Sequence, residues 1–372
     1  MAVPDVECAV VGAGVVGLAV ATALARCGIE TLLLEAEDRP GEATTSRNSG
    51  VIHAGLYYPP GSLKATLCGR GRDMLYAYCA QRGIPHRRLG KLIVATHPGE
   101  AAALRRLFER GLENRVRLEW LDGAAVRALE PALRCEAAIH SPDSGIIDSA
   151  ELVMALSGDL QEAGGLLLCH ARVTRIGRSD GLFEIETADG ERLSCRWLVN
   201  SAGLGATALA AATSGLAPEY VPRLWHGAGQ YYQAHRRVPF SRLIYPLPVP
   251  GALGMHLGFD LAGRARFGPD LRFVERMDYG FDDSLRGRFA DAIRVWWPEL
   301  RDEDLSPDFV GIRPKLVGPG EDSPDFLVQD ESAHGIAGLV NLFGIDSPGL
   351  TASLALGEHV AALVSPRGRG RP

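Results

Sequence analysis

Three glycines set between an apolar hexamer and an alanine-rich run constrain this chain more than any other feature. VECAVV, residues 6–11, is a continuous apolar strand of the kind a parallel sheet covered on both faces requires. Gly12, Gly14 and Gly17 follow in G-x-G-x-x-G spacing, with Val15 and Val16 between the last two. The pattern predicts a helix over 15–27 ended by Gly28, then ETLLLE, residues 30–35, as a second strand. In such a βαβ opening the first glycine permits the tight turn. The second admits a pyrophosphate to the backbone, and the third lets helix and strand pack closely. The helix N-terminus adds N–H donors and a positive dipole end. Glu35 closes the second strand 18 residues after Gly17, where a carboxylate accepts ribose hydroxyls and repels a 2′-phosphate. Dinucleotide binding follows, with NAD or FAD left for other segments to decide.

Bulk properties narrow the class. A chain of 372 residues exceeds one compact core and suits two domains. Its net charge of −6 lacks the basic footprint of a nucleic-acid binder. The apolar N-terminal run has no Lys or Arg before it and carries Asp5 and Glu7 at its edge, so it reads as buried strand and helix. No other segment approaches membrane length. Seven cysteines with no CxxC point to thiols in a reducing cytoplasm, with peripheral attachment to an inner membrane left open. RGRGR, residues 367–371, reads as part of a disordered tail over 366–372.

The rest of the chain supports an α/β fold: a discontinuous Rossmann-type dinucleotide-binding domain plus a mostly antiparallel β-sheet substrate domain. A glycine- and hydroxyl-rich loop spans 36–62, followed by a helix over 63–82 and a strand at 90–96. Helices are expected at 99–113, 122–130 and 149–163, then three strand-like pieces between 166 and 203. Residues 221–316 alternate like one-sided antiparallel strands, with one helix near 282–297. GLVNLFG then returns to buried-strand composition before a last helix. The expected division is 1–90, 140–220 and 330–365 for the cofactor, and 91–139 and 221–329 for the substrate.

Two further glycine turns favour FAD over NAD. LVNSAGLGA, residues 198–206, makes a second strand-to-glycine turn, and NLFGIDSPGLTASLA, residues 341–355, makes a third. In the third, Ser347 suits an N-cap and Pro348 the first helical position. A helix start aimed at the pyrimidine edge of a flavin would stabilise charge on the reduced ring.

GAGVVGLA, TSRNSGVIHAGLYY, LVNSAGLGA, YPLPVPGALGMHLGFD and GIRPKL together resemble the FAD-dependent D-amino acid oxidase/glycine oxidase superfamily. NSGVIHAGLYY followed by SLKATLC is most similar to its L-2-hydroxyglutarate dehydrogenase/oxidase branch, and the resemblance covers about residues 6 to 364. It implies cofactor contact from Gly12, Gly14, Val15, Val16, Gly17, Glu35 and Ala36. It extends that contact through Thr44, Thr45, Ser46, Arg47, Asn48, Ser49, Gly50 and Val51, with His53 near the isoalloxazine. It also implies Val173 at the adenine, Ala202 and Gly203 at the second turn, and Gly344, Ile345, Asp346, Ser347, Pro348, Gly349, Leu350 and Thr351 at the ribityl and pyrimidine end. RLWHGAGQYY and RPKLVGPGED depart from the branch, and Gln230 stands where it typically has Glu.

Oxidising a 2-hydroxy acid requires a carboxylate clamp, a base for the hydroxyl proton, and a wall that holds Cα against the flavin. In DFVGIRPKL, alternation puts Arg313 and Lys315 on one strand face, so Arg313 is the candidate clamp and Lys315 a second cation. His53 and His256 both suit the base, and His53 is also open to flavin contact or covalent attachment. Tyr231 and Tyr245 are candidate wall or hydroxyl-donor residues; Tyr231 and Tyr232 cannot both face the site in a regular strand. The expected activity is FAD-dependent oxidation of an L-2-hydroxy acid, best L-2-hydroxyglutarate, with oxygen, a quinone or an electron-transfer flavoprotein as acceptor. Amine oxidation of the glycine oxidase type, and flavin binding without turnover, are the rival readings.

Overall fold

The computed structural model describes residues 3–247, 254–322 and 324–364. They divide into two compact units. The first draws on Met1–Ser46, Ser149–Leu224 and Asp325–Pro372, the second on Arg47–Asp148 and Trp225–Pro324. Residues 47–90 and 140–148, expected in the cofactor domain, therefore fall in the second unit. A three-stranded sheet accounts for this: Val51–Ile52 and His86–Arg87 both pair with Gly145–Ile147. The expected tail lies outside the described residues.

In the first unit, Val6–Val11 is a strand and Val15–Arg26 a helix, with Gly28 left-handed at φ 77°. Thr31–Leu34, Val6–Val11, Arg192–Asn200 and Leu339–Phe343 lie side by side in parallel. Leu166–Leu168 extends the sheet beyond Thr31–Leu34 in parallel, and Leu327–Gln329 extends it beyond Leu339–Phe343 in antiparallel pairing. Val6–Val11, Thr31–Leu34 and Leu339–Phe343 are buried almost throughout, which explains their mostly apolar composition, while Arg192–Asn200 is buried mainly at its C-terminal end. The first helix packs on the last, Gly349–Val364, and Gly357 sits where the two cross. A Cβ added there would meet the Ala19 carbonyl oxygen at 2.5 Å.

The second unit holds a nine-stranded mixed sheet. Trp225–Ala234 pairs in antiparallel fashion with Leu305–Lys315, Ala265–Phe267 and Arg272–Val274. Lys91–Ala95 and Leu243–Pro246 form its one parallel contact among the described residues. Phe267, Phe289, Trp296 and Trp297 are fully buried on one side and anchor the core there.

Several expectations need correction. The 36–62 loop contains the short strand Val51–Ile52, and Glu119–Asp122, Ala137–Ser141 and Gly145–Ile147 are strands that short, mixed-polarity sequence did not reveal. The strand after His256 covers only Leu257–Phe259, so His256 precedes it. RLIYPLPVP is a strand over Leu243–Pro246, while Pro248–Pro250 lie outside the described residues. The last helix starts at Gly349: the Gly349 N–H turns back to Asp346 O at 2.5 Å and Ala352 N–H bonds Pro348 O at 2.9 Å. Pro348 thus takes the capping place expected of Ser347.

Gly357→Ala should destabilise the first unit by roughly 1–3 kcal/mol, the cost of overpacking a close contact. The urea midpoint of the variant reads this, and an unchanged midpoint would show that the helices can separate without loss.

Candidate active site

The parallel register brings three chain-distant turns to the same end of three adjacent strands in the first unit. Val11 pairs with Asn200, and Asn200 with Asn341, so residues 12–17, 201–203 and 344–351 all start at one edge. Buried and half-buried side chains tie them. Ser201 Oγ donates to Val11 O at 2.9 Å and Gly12 O at 3.1 Å. Asn200 Nδ2 donates to Asn341 Oδ1 at 3.0 Å and Ala206 O at 2.8 Å.

The space above the first turn is kept clear by glycine. Gly12 holds φ 99°, and a Cβ there would meet Ser201 O at 2.7 Å. A Cβ on Gly17 would meet Ser201 Oγ at 2.6 Å. Gly14 caps the helix without a side chain, while Thr45 Oγ1 accepts the Val15 N–H at 3.1 Å. Glu35 accepts the Ala13 N–H at 2.6 Å through Oε2 and the Glu37 N–H at 3.0 Å through Oε1. Each carboxylate oxygen keeps acceptor capacity for a hydroxyl. Ala171 N–H bonds Glu35 O at 2.8 Å, which brings the strand beginning at Val173 to this end of the sheet. Gly203 and Gly344 are left-handed at φ 55° and 64°. A cradle bare of side chains, backbone donors at a helix start and an adjacent carboxylate fit a dinucleotide with an unmodified ribose.

The hydroxyl-rich loop makes different bonds along its length. Ser46 Oγ donates to Glu42 O at 2.5 Å and Ala43 O at 3.1 Å, so this hydroxyl serves its own turn. In the second unit, Arg47 donates to Val310 O at 3.3 Å and lies 4.2 Å over the Tyr279 ring. Gly311 is required beneath it, since a Cβ would strike the Arg47 carbonyl. Asn48 Oδ1 accepts the Gly50 N–H at 2.5 Å, holding the left-handed Gly50 before Val51.

A buried polar cluster occupies the second unit. His53 and His256 are 9% and 4% exposed, and Lys91 is wholly buried. Lys91 Nζ lies 3.4 Å from His53 Nδ1 and 4.0 Å from the centre of the Tyr245 ring. His256 stacks on Tyr245 with ring centres 3.5 Å apart. Tyr57 places its ring 5.7 Å from Lys91 Nζ, and its hydroxyl is buried with no hydrogen-bond partner among the described residues. Burial holds the His53 imidazolium well below its usual range, helped by the nearby Lys91 charge and then by His256. Burial brings the Lys91 ammonium down to about 7. Lys91 and Tyr57 were missed in the sequence. A lysine opening an apolar strand (Lys91 before LIVA) was the available signal.

Arg313 adjoins this cluster. Its Nη2 donates to Tyr231 Oη at 2.9 Å, and Tyr231 stacks on Phe309 with centres 4.5 Å apart. Its Nη1 is buried and has no hydrogen-bond partner among the described residues. Burial raises the Tyr245 phenol, Tyr231 adds to the rise, and the Arg313 charge opposes it. Tyr231 and Tyr232 diverge as expected: Tyr232 donates to Asp283 Oδ1 at 3.1 Å and packs on Phe281 and Phe289. Lys315 shares the Arg313 strand face, with its stem over Gly227. Gln230 is fully buried and structural. Its amide donates to Asp282 O at 2.9 Å and accepts from Arg272 and the Asp282 N–H, each at 3.1 Å. A glutamate could not make the first of these bonds.

A three-turn glycine cradle of this kind defines a flavin-dinucleotide-binding oxidoreductase. The chain belongs to the FAD-dependent oxidoreductase family, whose model matches residues 7–363, and its cofactor is FAD. It is 42% identical to the mitochondrial L-2-hydroxyglutarate dehydrogenase of Arabidopsis thaliana, covering 96% of this chain and 83% of that protein. It is 29% identical to the L-2-hydroxyglutarate dehydrogenase of Escherichia coli K12, covering 95% of this chain and 92% of that one. Among solved structures, FAD-bound L-alpha-glycerophosphate oxidase from Mycoplasma pneumoniae superposes with a TM-score of 0.87 at 23% identity, covering 99% of this chain and 96% of that one. Glycine oxidase from Geobacillus kaustophilus reaches 0.83 at 21% identity, covering 100% and 97%. These two share the fold.

The Lys91 shift predicts a pH signature. Its folded value lies below the usual 10.5, so the unfolded chain binds the extra proton between about 7 and 10.5. That group's contribution therefore becomes more favourable as pH rises through this window. Lys91→Met should raise Tm most at or below pH 7, and the gap should close as pH approaches 10.5. A pH-independent gap would contradict the buried-ammonium cost.

Proposed function

We propose that the protein oxidises an L-2-hydroxy acid, best L-2-hydroxyglutarate, to the 2-oxo acid. The observation that carries this is Arg313: a half-buried guanidinium whose Nη1 is buried and without a hydrogen-bond partner among the described residues, in the unit that also holds His53, kept neutral by its burial. Burying such a donor costs roughly 1–3 kcal/mol unless an acceptor arrives. A substrate carboxylate supplies one.

In this reading Arg313 Nη1 grips the C1 carboxylate while Tyr231 holds Nη2 in place. Tyr245 and His256, stacked face to face, form the wall that fixes Cα. His53 takes the hydroxyl proton at Nε2, its Nδ1 being turned to Lys91. Bound FAD supplies a two-electron oxidant that accepts the Cα hydrogen as hydride. Gly12, Gly14, Gly17, Glu35, Thr45, Ala202, Gly203 and Gly344–Thr351 would hold it. Lys315, on the same strand face as Arg313, is the second cation for a dicarboxylate.

The plant relative's name and 42% identity support the hydroxy-acid reading over amine oxidation. A base is also needed for an alcohol and not for an amine that enters deprotonated. Among the described residues no helix is long and apolar enough to cross a membrane. Seven free thiols support a reducing compartment such as the cytoplasm.

Purified holoenzyme should be bleached anaerobically by L-2-hydroxyglutarate and left yellow by glycine, sarcosine and D-amino acids; the reverse pattern would transfer the assignment to amine oxidation. Arg313→Ala should raise KM for L-2-hydroxyglutarate on the order of 10–100-fold, matching the roughly 1.5–3 kcal/mol of a hydrogen bond to a charged group. Flavin content should stay intact, and an unchanged KM would remove Arg313 as the clamp.

A further inference from the structure

Lys91 is wholly buried, and it has no carboxylate partner among the described residues. Its amine faces groups from several elements. These are His53 and Tyr57 after the strand Val51–Ile52, Cys68 on the helix Leu63–Arg82, and Tyr245 on the neighbouring strand, with His256 stacked against Tyr245. Ordinary structural lysines are salt-bridged or reach solvent. This one points at a ring nitrogen instead.

That nitrogen decides what His53 can do. An ammonium at Nδ1 can only donate, so a neutral ring facing it must carry its proton at Nε2 and cannot act there as a base. A neutral amine can accept from Nδ1–H, which puts the ring lone pair, the basic site, on Nε2. We infer that Lys91 is a positioning residue that selects the His53 tautomer: its neutral amine accepts the Nδ1 proton and so makes Nε2 the base. This rests on the reading of His53 as the proton acceptor in hydroxy-acid oxidation.

The proton inventory closes. The substrate O–H bond breaks as Nε2–H forms, Nδ1–H breaks as a third Nζ–H forms, and the Cα–H electron pair leaves as hydride to FAD. Between turnovers the ammonium must lose its proton, so acid should silence the site. Because Lys91 and His53 are coupled, the observed midpoint belongs to the pair. Burial brings Lys91 to about 7, which puts this transition in an accessible range.

The test uses holoenzyme and three variants, following flavin bleaching by L-2-hydroxyglutarate in stopped flow across pH. The wild-type rate constant should rise through a transition near neutrality. Lys91→Arg keeps a permanent cation against Nδ1 and should lose on the order of 10²-fold or more at every pH, a general-base loss. Lys91→Gln offers a carbonyl that accepts Nδ1–H; it should retain far more activity than Lys91→Arg and lose the transition. A readout independent of turnover is the ¹⁵N signature of the His53 ring. It should change from Nε2–H to Nδ1–H with rising pH in the wild type and stay Nδ1–H in Lys91→Gln.

Wild-type-like pH profiles in Lys91→Gln and Lys91→Arg, or a His53 tautomer blind to Lys91, would overturn the inference. If Lys91→Arg fails to fold, the Lys91→Gln profile and its ring signature decide alone. His53→Asn separates the two layers. Slow bleaching in His53→Asn with unaltered Lys91 variants sinks the lysine's role only, while fast bleaching in His53→Asn sinks the base assignment and the lysine's role with it.

Discussion

One buried amide pair sets the frame for the cofactor. Asn200 and Asn341 join side chains across two parallel strands, and Asn200 also reaches the Ala206 carbonyl. A one-residue slip would move every side chain of a strand to the other face, and a longer slip would break the side-chain pair, so pinning two strands at their ends fixes the register of both. Ser201 extends the same tie to the Val11 and Gly12 carbonyls. Three turns separated by more than three hundred residues of chain thereby open at a common level. Such crevices at the carboxyl ends of parallel strands are where α/β sheets bind ligands.

Much of this was legible in advance. The strand Val6–Val11, the helix Leu63–Arg82 and the helix Ser149–Glu162 follow directly from burial pattern and helix-start chemistry, such as the Ser62 hydroxyl accepting from Ala65 N–H at 3.1 Å. The family resemblance and the FAD cofactor were also readable, because glycine spacing reports backbone geometry and not merely composition. What stayed hidden was long-range pairing. Gly145–Ile147 joins two strands of only two residues each, and no local periodicity marks segments that short.

Lys91 was hidden for a different reason. A lysine at a strand edge is ordinarily solvated, and the apolar LIVA that follows Lys91 hints at a buried strand without saying that it lies inside the sheet between Leu243–Pro246 and Ala137–Ser141. Only the assembled sheet turns its charge into a buried one. Arg313 was the opposite case: alternation along DFVGIRPKL identified its face, and Tyr231 occupies the same side across the paired strand.

Gln230 carries a consequence of its own. Its amide both gives and receives, so it fastens Arg272 and the Asp282 backbone without carrying a charge. The Asp282 backbone is thus held at this point by a group that is blind to acidity. A carboxylate in that place would have made the scaffold itself respond to protons, blurring scaffold and chemistry together. With the amide there, the bonds that Gln230 makes to Arg272 and Asp282 have no proton of their own to gain or lose.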